Sequence, residues 1–337
     1  MNSQELALNT MNTVKARPSA AAVSGPRSGL RIGEFGWIWI GTLILFALSF
    51  VVAPGTVSRG SLLAMLPFAG ILAIVATGQT IVIQQRGLDM SAAGMVSLAG
   101  VVVAVVGATA GSVLVATVAA VLTGCVVGAL NGFLVARVHI TPLIATLAVN
   151  AILLGAVRSM TGNAPIPVPE SIQTFSHASL LSLPYSVWLA AAFVMVVALV
   201  TKKTIAGRRF VAVGVNAGAA TAAGVQVLRY QVGAYVLSAL CFSVAGILLA
   251  GYIGNASHTA GNDYLLPSIA AVVVGGTPFT GGKGSVIASG VAALFMAQLA
   301  QMVLALGAGS AVQLLVQAAA ILLATSIRLL PRLLARR

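Results

Sequence analysis

Residues 90–136 read MSAAGMVSLAGVVVAVVGATAGSVLVATVAAVLTGCVVGALNGFLVA, 47 positions without one charged side chain. A helix that crosses a hydrocarbon core of about 30 Å needs about 20 mostly apolar residues, since each residue adds about 1.5 Å. The stretch is too long for one such helix and offers no polar face to water. It divides at Gly107-Ala-Thr-Ala-Gly-Ser112, where two glycines and a serine favour a turn. One uninterrupted run thus holds two crossings, and a chain built around it is an all-α, polytopic transmembrane helical bundle.

The rest of the sequence agrees. Of 337 residues, 59% are hydrophobic and only 7% charged, and the mean hydropathy is +1.05. A soluble domain carries about 25% charged residues, so most of this surface must face lipid. Working outward from 90–136, further apolar segments lie at 35–53, 60–85, 142–160, 184–201 and 231–251. A segment at 284–327 divides at Gly307-Ala-Gly-Ser310, and a short one of 13 residues lies at 265–277. The total is about ten spans if the short segment crosses or forms a paired half-helix, and nine if it does not.

Charge sets the orientation. The formal charge of +13 is spread between apolar runs rather than gathered on a module that could hold nucleic acid. With ten spans and a cytoplasmic N-terminus, 16 of the 18 basic residues fall inside, and only Arg59 and Arg158 fall outside. Nine spans would put the basic 328–337 segment on the wrong side, so 265–277 counts as a crossing and both termini are expected in the cytoplasm. The domains are then a cytoplasmic N-terminal tail at 1–34, with no convincing cleavage site, a transmembrane domain at 35–329, and a basic cytoplasmic tail at 330–337. The longest outside loop is 162–183, and the longest inside loop is 202–230. Within the latter, the Ala-rich 216–225 favours a short helix with Asn216 as its cap.

Catalytic signatures fail. Gly281-Gly-Lys-Gly-Ser285 has the look of a phosphate-binding loop, yet that motif needs Ser or Thr directly after the Lys and a preceding strand. Gly284 stands there instead. His139, His177 and His258 are scattered without metal-ligand spacing, and Cys125 and Cys241 sit in apolar runs as small hydrophobes. No metal and no cofactor are expected. The five acids, Glu5, Glu34, Asp89, Glu170 and Asp263, all fall near loops or helix ends. Carriers driven by ion gradients usually hold ionisable groups at membrane depth, so the driving energy is expected to come from another chain.

Four stretches carry a resemblance. Gly78-Gln-Thr-Ile-Val-Ile-Gln-Gln-Arg-Gly-Leu-Asp-Met-Ser91 is the first. The second is Gly128-Ala-Leu-Asn-Gly-Phe-Leu-Val135 followed by Thr141-Pro-Leu-Ile-Ala-Thr-Leu147. Gly207-Arg-Arg-Phe-Val-Ala-Val-Gly-Val-Asn216 with Ala219-Ala-Thr-Ala-Ala-Gly-Val225 is the third, and Gly275-Gly-Thr-Pro-Phe-Thr-Gly-Gly-Lys-Gly-Ser285 the fourth. Each is short, but in this order, over about 62–329, they resemble the permeases of ribose-type ABC importers, which also serve xylose, arabinose and galactose. Departures are Arg86 where the family has a second Gly, Ala148 for a Gly, and Gly218 where the coupling segment usually has Glu.

The resemblance implies a bacterial inner-membrane subunit that passes a monosaccharide or related polyol and catalyses nothing itself. It further implies a homodimer, separate ABC ATPase subunits on the inside, and a periplasmic or lipid-anchored sugar-binding protein outside. Coupling to the ATPase falls on Asn216, Gly218, Ala219, Ala220 and Gly224. The translocation path or its gate falls on Asp89, Asn131, Gly275, Gly276, Thr277, Gly281 and Gly282. Read without the resemblance, Asp89 is a helix cap or inner-edge anchor, Asn131 an interhelical hydrogen-bonding residue, and the 275–285 glycines a tight, closely packed turn. The alternative functions are a branched-chain amino-acid or nucleoside ABC permease, or a secondary transporter.

Overall fold

The computed structural model describes residues 35–334, with side chains through Ser326. The expected N-terminal tail at 1–34 and residues 335–337 of the basic tail lie outside the described residues.

Long apolar helices dominate. The chain begins with α1 (Trp37–Val52), a 3-10 turn (Pro54–Val57), α2 (Arg59–Gln84), α3 (Ala92–Ala110), α4 (Val113–Ala136) and α5 (Pro142–Thr161). Then follow β1 (Ile166–Pro167), α6 (Glu170–His177), β2 (Ser179–Leu180), β3 (Leu183–Pro184) and α7 (Tyr185–Lys203). After α8 (Ile205–Val215), α9 (Ala217–Ala222) and α10 (Val227–Ile253) come β4 (Asn255–Ala256), α11 (Asn262–Val274), α12 (Val286–Ala305) and α13 (Ser310–Leu334). Antiparallel pairs join β1 to β4 and β2 to β3.

Each expected span coincides with a helix. Seven helices are long and apolar enough to cross a membrane, and Trp37–Val52, Asn262–Val274 and Ser310–Ser326 are shorter apolar helices. The break expected at 107–112 falls at Gly111, in the left-handed region with φ 62°, and Ser112, whose hydroxyl accepts from Val115 N at 3.4 Å. Ser58, Thr204 and Ser285 cap α2, α8 and α12 in the same way. Three boundaries differ from expectation. The helix α6 lies within the expected outside loop, α8 lies within the expected inside loop, and α10 starts four residues early and includes Arg229.

The core centres on α10, which packs against α2, α3 and α4. Gly124, Gly128 and Gly132 line one stripe of α4. A Cβ added to them would lie 2.0 Å from Ser243 Oγ, 2.6 Å from Tyr235 O and 2.7 Å from Val232 Cα. Backbone therefore rests on backbone along this seam, the small-residue packing that holds helices together where water drives nothing. The outward faces are apolar: Leu122, Val126 and Phe133 on α4, Met195 and Leu199 on α7 and Ile44 and Phe50 on α1 are exposed. Such a surface suits lipid and would aggregate in water.

One end of the bundle gathers the cations of the connecting segments. Arg86, Arg137, Lys202, Lys203, Arg208, Arg209, Arg229 and Lys283 all stand at or near the helix ends there. Gly282 N donates to Gln84 O at 2.8 Å, joining two of these connections directly. This is the basic end. From it α3 and α10 run side by side in the same direction, with Gly246 against Val96 and Gly100 against Ala250. Beyond α10 the chain folds back along α3. Gly261 meets Ala93, and its N–H donates to Ser97 Oγ at 3.0 Å. Seven residues separate Ala93 from Gly100, so α11 starts about 10 Å nearer the basic end than the close of α10. The short helix is preceded by a loop that turns back along α3.

Candidate functional site

Three connections converge at the basic end: the return between α2 and α3, the α8–α9 pair, and the loop between α11 and α12. The return begins at Gln84, the last residue of α2. Gln85 Nε2 donates to Phe210 O at 2.8 Å, and Arg86 Nε donates to Gly214 O at 2.9 Å. Arg86 Nη2 donates to Val215 O as well. The chain then climbs back into the bundle. Met90 N donates to Thr146 Oγ1 at 2.9 Å, and Gly94 N donates to Asn150 Oδ1 at 2.8 Å, so α5 holds the rising limb.

Asp89 lies at the heart of this return and is fully buried. Its Oδ1 accepts from Ser91 N at 3.0 Å and Ser91 Oγ at 2.6 Å. Asn131 Nδ2 donates to Ser91 Oγ at 2.8 Å and approaches Asp89 Oδ1 at 3.5 Å. Gln79 Nε2 donates to Asp89 O at 2.7 Å. Ser91, Asn131 and Gln79 are also fully buried. Ser238 also faces the Asp89 carboxylate, whereas Asn131 Oδ1 and Gln79 Oε1 have no hydrogen-bond partner. Asp89 caps no helix end, because the N-cap of α3 is Ser91. It closes a local turn around Ser91 N and ties the return to α4. Asp89 is buried among the helices near the basic end, and Asn131 is the interhelical bonding residue its amide suggested.

The loop between α11 and α12 is built on glycine. Gly276, Gly281 and Gly282 have φ of 104°, 78° and 72°, a conformation that side chains resist. A Cβ at Gly275 would lie 2.9 Å from Ala288 O, and one at Gly281 would lie 2.3 Å from Arg86 Cγ. Thr277 is buried, and its Oγ1 accepts from Ser285 N at 3.4 Å. Gly214 and Val215 of α8 and Gly281 of this loop thus all meet the Arg86 side chain.

A family model described as "Branched-chain amino acid transport system / permease component" matches residues 61–325. The ribose import permease protein RbsC of Escherichia coli K12 is 31% identical over 307 residues, covering 88% of this chain and 96% of that protein. RbsC of Bacillus subtilis is 33% identical over 298 residues, covering 87% and 91%. The L-arabinose transport system permease protein AraH of Escherichia coli K12 is 33% identical over 275 residues, covering 80% and 84%. The chain belongs to the ribose-type ABC permease family. No solved structure matches this permease. It is a multi-pass protein of the bacterial inner membrane.

The remaining expected residues of the permease fall on and around α9. Asn216 caps it, its Oδ1 accepting from Ala219 N at 3.0 Å. Gly224 follows it with φ 75°, its N–H donating to Thr221 O at 2.9 Å. Gly218, Ala219, Ala222 and Ala223 are exposed, whereas Ala220 is buried at 5% exposure. Ala220 therefore packs on the permease itself, and the face open to a partner is the one carrying Gly218 and Ala219. Gln85 and Thr146 escaped notice in the sequence, and Arg86 was read there only as a departure from the family pattern. The one available signal was Arg86, an arginine where the family has glycine.

Away from the basic end the permease carries an open pocket of about 240 Å³. Phe68, Tyr264 and Met296 form an apolar wall, and Asp263, Gln313 and Gln317 bring polar groups to it. Among the described residues no group of three or more His, Cys, Asp and Glu could hold a metal ion.

Proposed function

We propose that this permease passes a monosaccharide or related polyol across the inner membrane, driven by ATP hydrolysis on separate subunits. The observation that carries the reading is α9. It is a capped helix with a face of glycine and alanine open at the basic end, fixed through Val215 and Arg86 to the interior of the bundle. A face without bulk lets a partner approach closely, and its tether runs inward. ABC ATPase subunits dock there, a sugar-binding protein delivers substrate at the opposite end, and a second copy of the chain completes the pathway. The names of the relatives, ribose and L-arabinose permeases, support a sugar as cargo. So does the pocket, where Phe68 and Tyr264 suit the C–H faces of a sugar and Asp263, Gln313 and Gln317 suit its hydroxyls.

The gathering of cations at one end supports a topology of ten spans with both termini in the cytoplasm. Reporter fusions at Arg337 and in the 162–183 loop are expected to read inside and outside. An outside signal at Arg337 refutes this topology. The function is tested in proteoliposomes holding the permease, its ATPase and its binding protein. ATP-dependent uptake is expected for a labelled pentose or hexose and not for leucine. Uptake of leucine alone, or gradient-driven uptake by the isolated chain, refutes the reading.

A further inference from the structure

Arg86 stands at φ 62°, a left-handed conformation that an L-residue adopts only at a cost and that glycine adopts freely. Gly87 follows directly, so the sequence had a cheaper solution one position away. The side chain offsets this cost outside its own element. Its Nε and Nη2 donate to the carbonyls of Gly214 and Val215, the last two residues of α8. Those carbonyls have no partner within their own helix, and a cation at a helix C-terminus meets the negative end of its dipole. Arg86 is thus a cap supplied from another element. Gly281 leaves room for its stem, since a Cβ there would meet Arg86 Cγ at 2.3 Å.

What lies on either side gives the contact its meaning. One residue past Val215, Asn216 opens α9. Three residues past Arg86, Asp89 is bonded to Ser91 and reaches Asn131 on α4. Gln85 adds a parallel tie from the same return to Phe210 O. A short, stiff route therefore runs from the exposed helix to the buried polar junction, and the guanidinium is its forked link.

We propose that Arg86 is the positioning residue that carries displacement of α9 into the 85–91 return, so that events at the ATPase shift the Asp89–Asn131 junction. This rests on α9 being the ATPase docking element.

The test is hydrogen exchange on the purified complex of permease and ATPase, with and without a non-hydrolysable ATP analogue. In the wild type, exchange is expected to change in peptides covering both 216–224 and 85–94. In Arg86→Gly, which keeps the backbone conformation and removes the fork, the change at 216–224 is expected to persist and that at 85–94 to be lost. Arg86→Lys, with a point charge in place of the fork, is expected to recover only part of it. A response at 85–94 that survives Arg86→Gly overturns the proposal. So does a wild type that responds at 216–224 alone, or an Arg86→Gly chain that no longer assembles, since the arginine would then be a structural cap only. Absence of any change at 216–224 in the wild type instead refutes the docking role of α9.

Discussion

The return at 85–91 and the segment around α9 are joined by Arg86, with Gln85 tied alongside to Phe210 O, and are built on opposite plans. Apart from Arg86 the return is largely buried and rich in polar side chains, and its bonds reach Asn131, Gln79 and Thr146 inside the bundle. Around α9, five small residues, Gly218, Ala219, Ala222, Ala223 and Gly224, stand exposed, with Asn216 as the one side-chain cap. A buried polar junction fixes one arrangement, because each unmade bond costs the desolvation of its group. A small exposed face fixes nothing by itself and suits a partner. The contrast separates residues that hold the permease together from residues proposed to serve its coupling.

Three substitutions probe that contrast, from the largest expected loss of stability to the smallest. Asp89→Ala leaves Ser91 N and Oγ without their acceptor inside the bundle, at a cost of roughly 3 kcal/mol. Thermal unfolding of the purified permease is expected to fall well below wild type, with Asp89→Asn recovering much of the loss. An unchanged midpoint for Asp89→Ala would remove the junction's structural role. Asn216→Ala deletes the cap of α9 and costs about 1 kcal/mol, felt locally. Amide exchange at 217–222 is expected to quicken while the bundle melts as before; a global shift would mean that α9 belongs to the core. Ala219→Trp is expected to change stability by less than about 0.5 kcal/mol, as exposed sites usually do, yet to abolish stimulation of the ATPase by loaded binding protein. Full stimulation in that variant would assign docking to another surface.

Much of the fold was legible because crossings leave long uncharged runs, and breaks such as Gly111-Ser112 have a local cause. The short helices α6 and α8 escaped because neither has an apolar run long enough to register against the loops around it. At the candidate site, Asn216 and Gly224 were readable, since capping and a left-handed stop are decided within a few residues. Ala220 was not. Which alanine of α9 turns inward depends on how the helix seats, and the sequence treats Ala219 and Ala220 alike. Asp89 looked like an edge residue because acids beside a break usually are; only the contacts of the return with α4 and α5 put it inside. Arg86 could be read as a topological charge, while its partners Gly214 and Val215 lie 128 and 129 residues away.

The stripe of Gly124, Gly128 and Gly132 constrains how such a protein can move. With main chain seated on main chain at three successive turns, α4 and α10 share a toothed seam, like a rack against its pinion. A slide of half a turn would drive the neighbouring side chains of α4 into the carbonyls of Tyr235 and Val232, whereas a rotation of both helices together disturbs none of these contacts. Opening and closing of a pathway must therefore carry α4 and α10 as one piece, with the bending left to the loops at their ends.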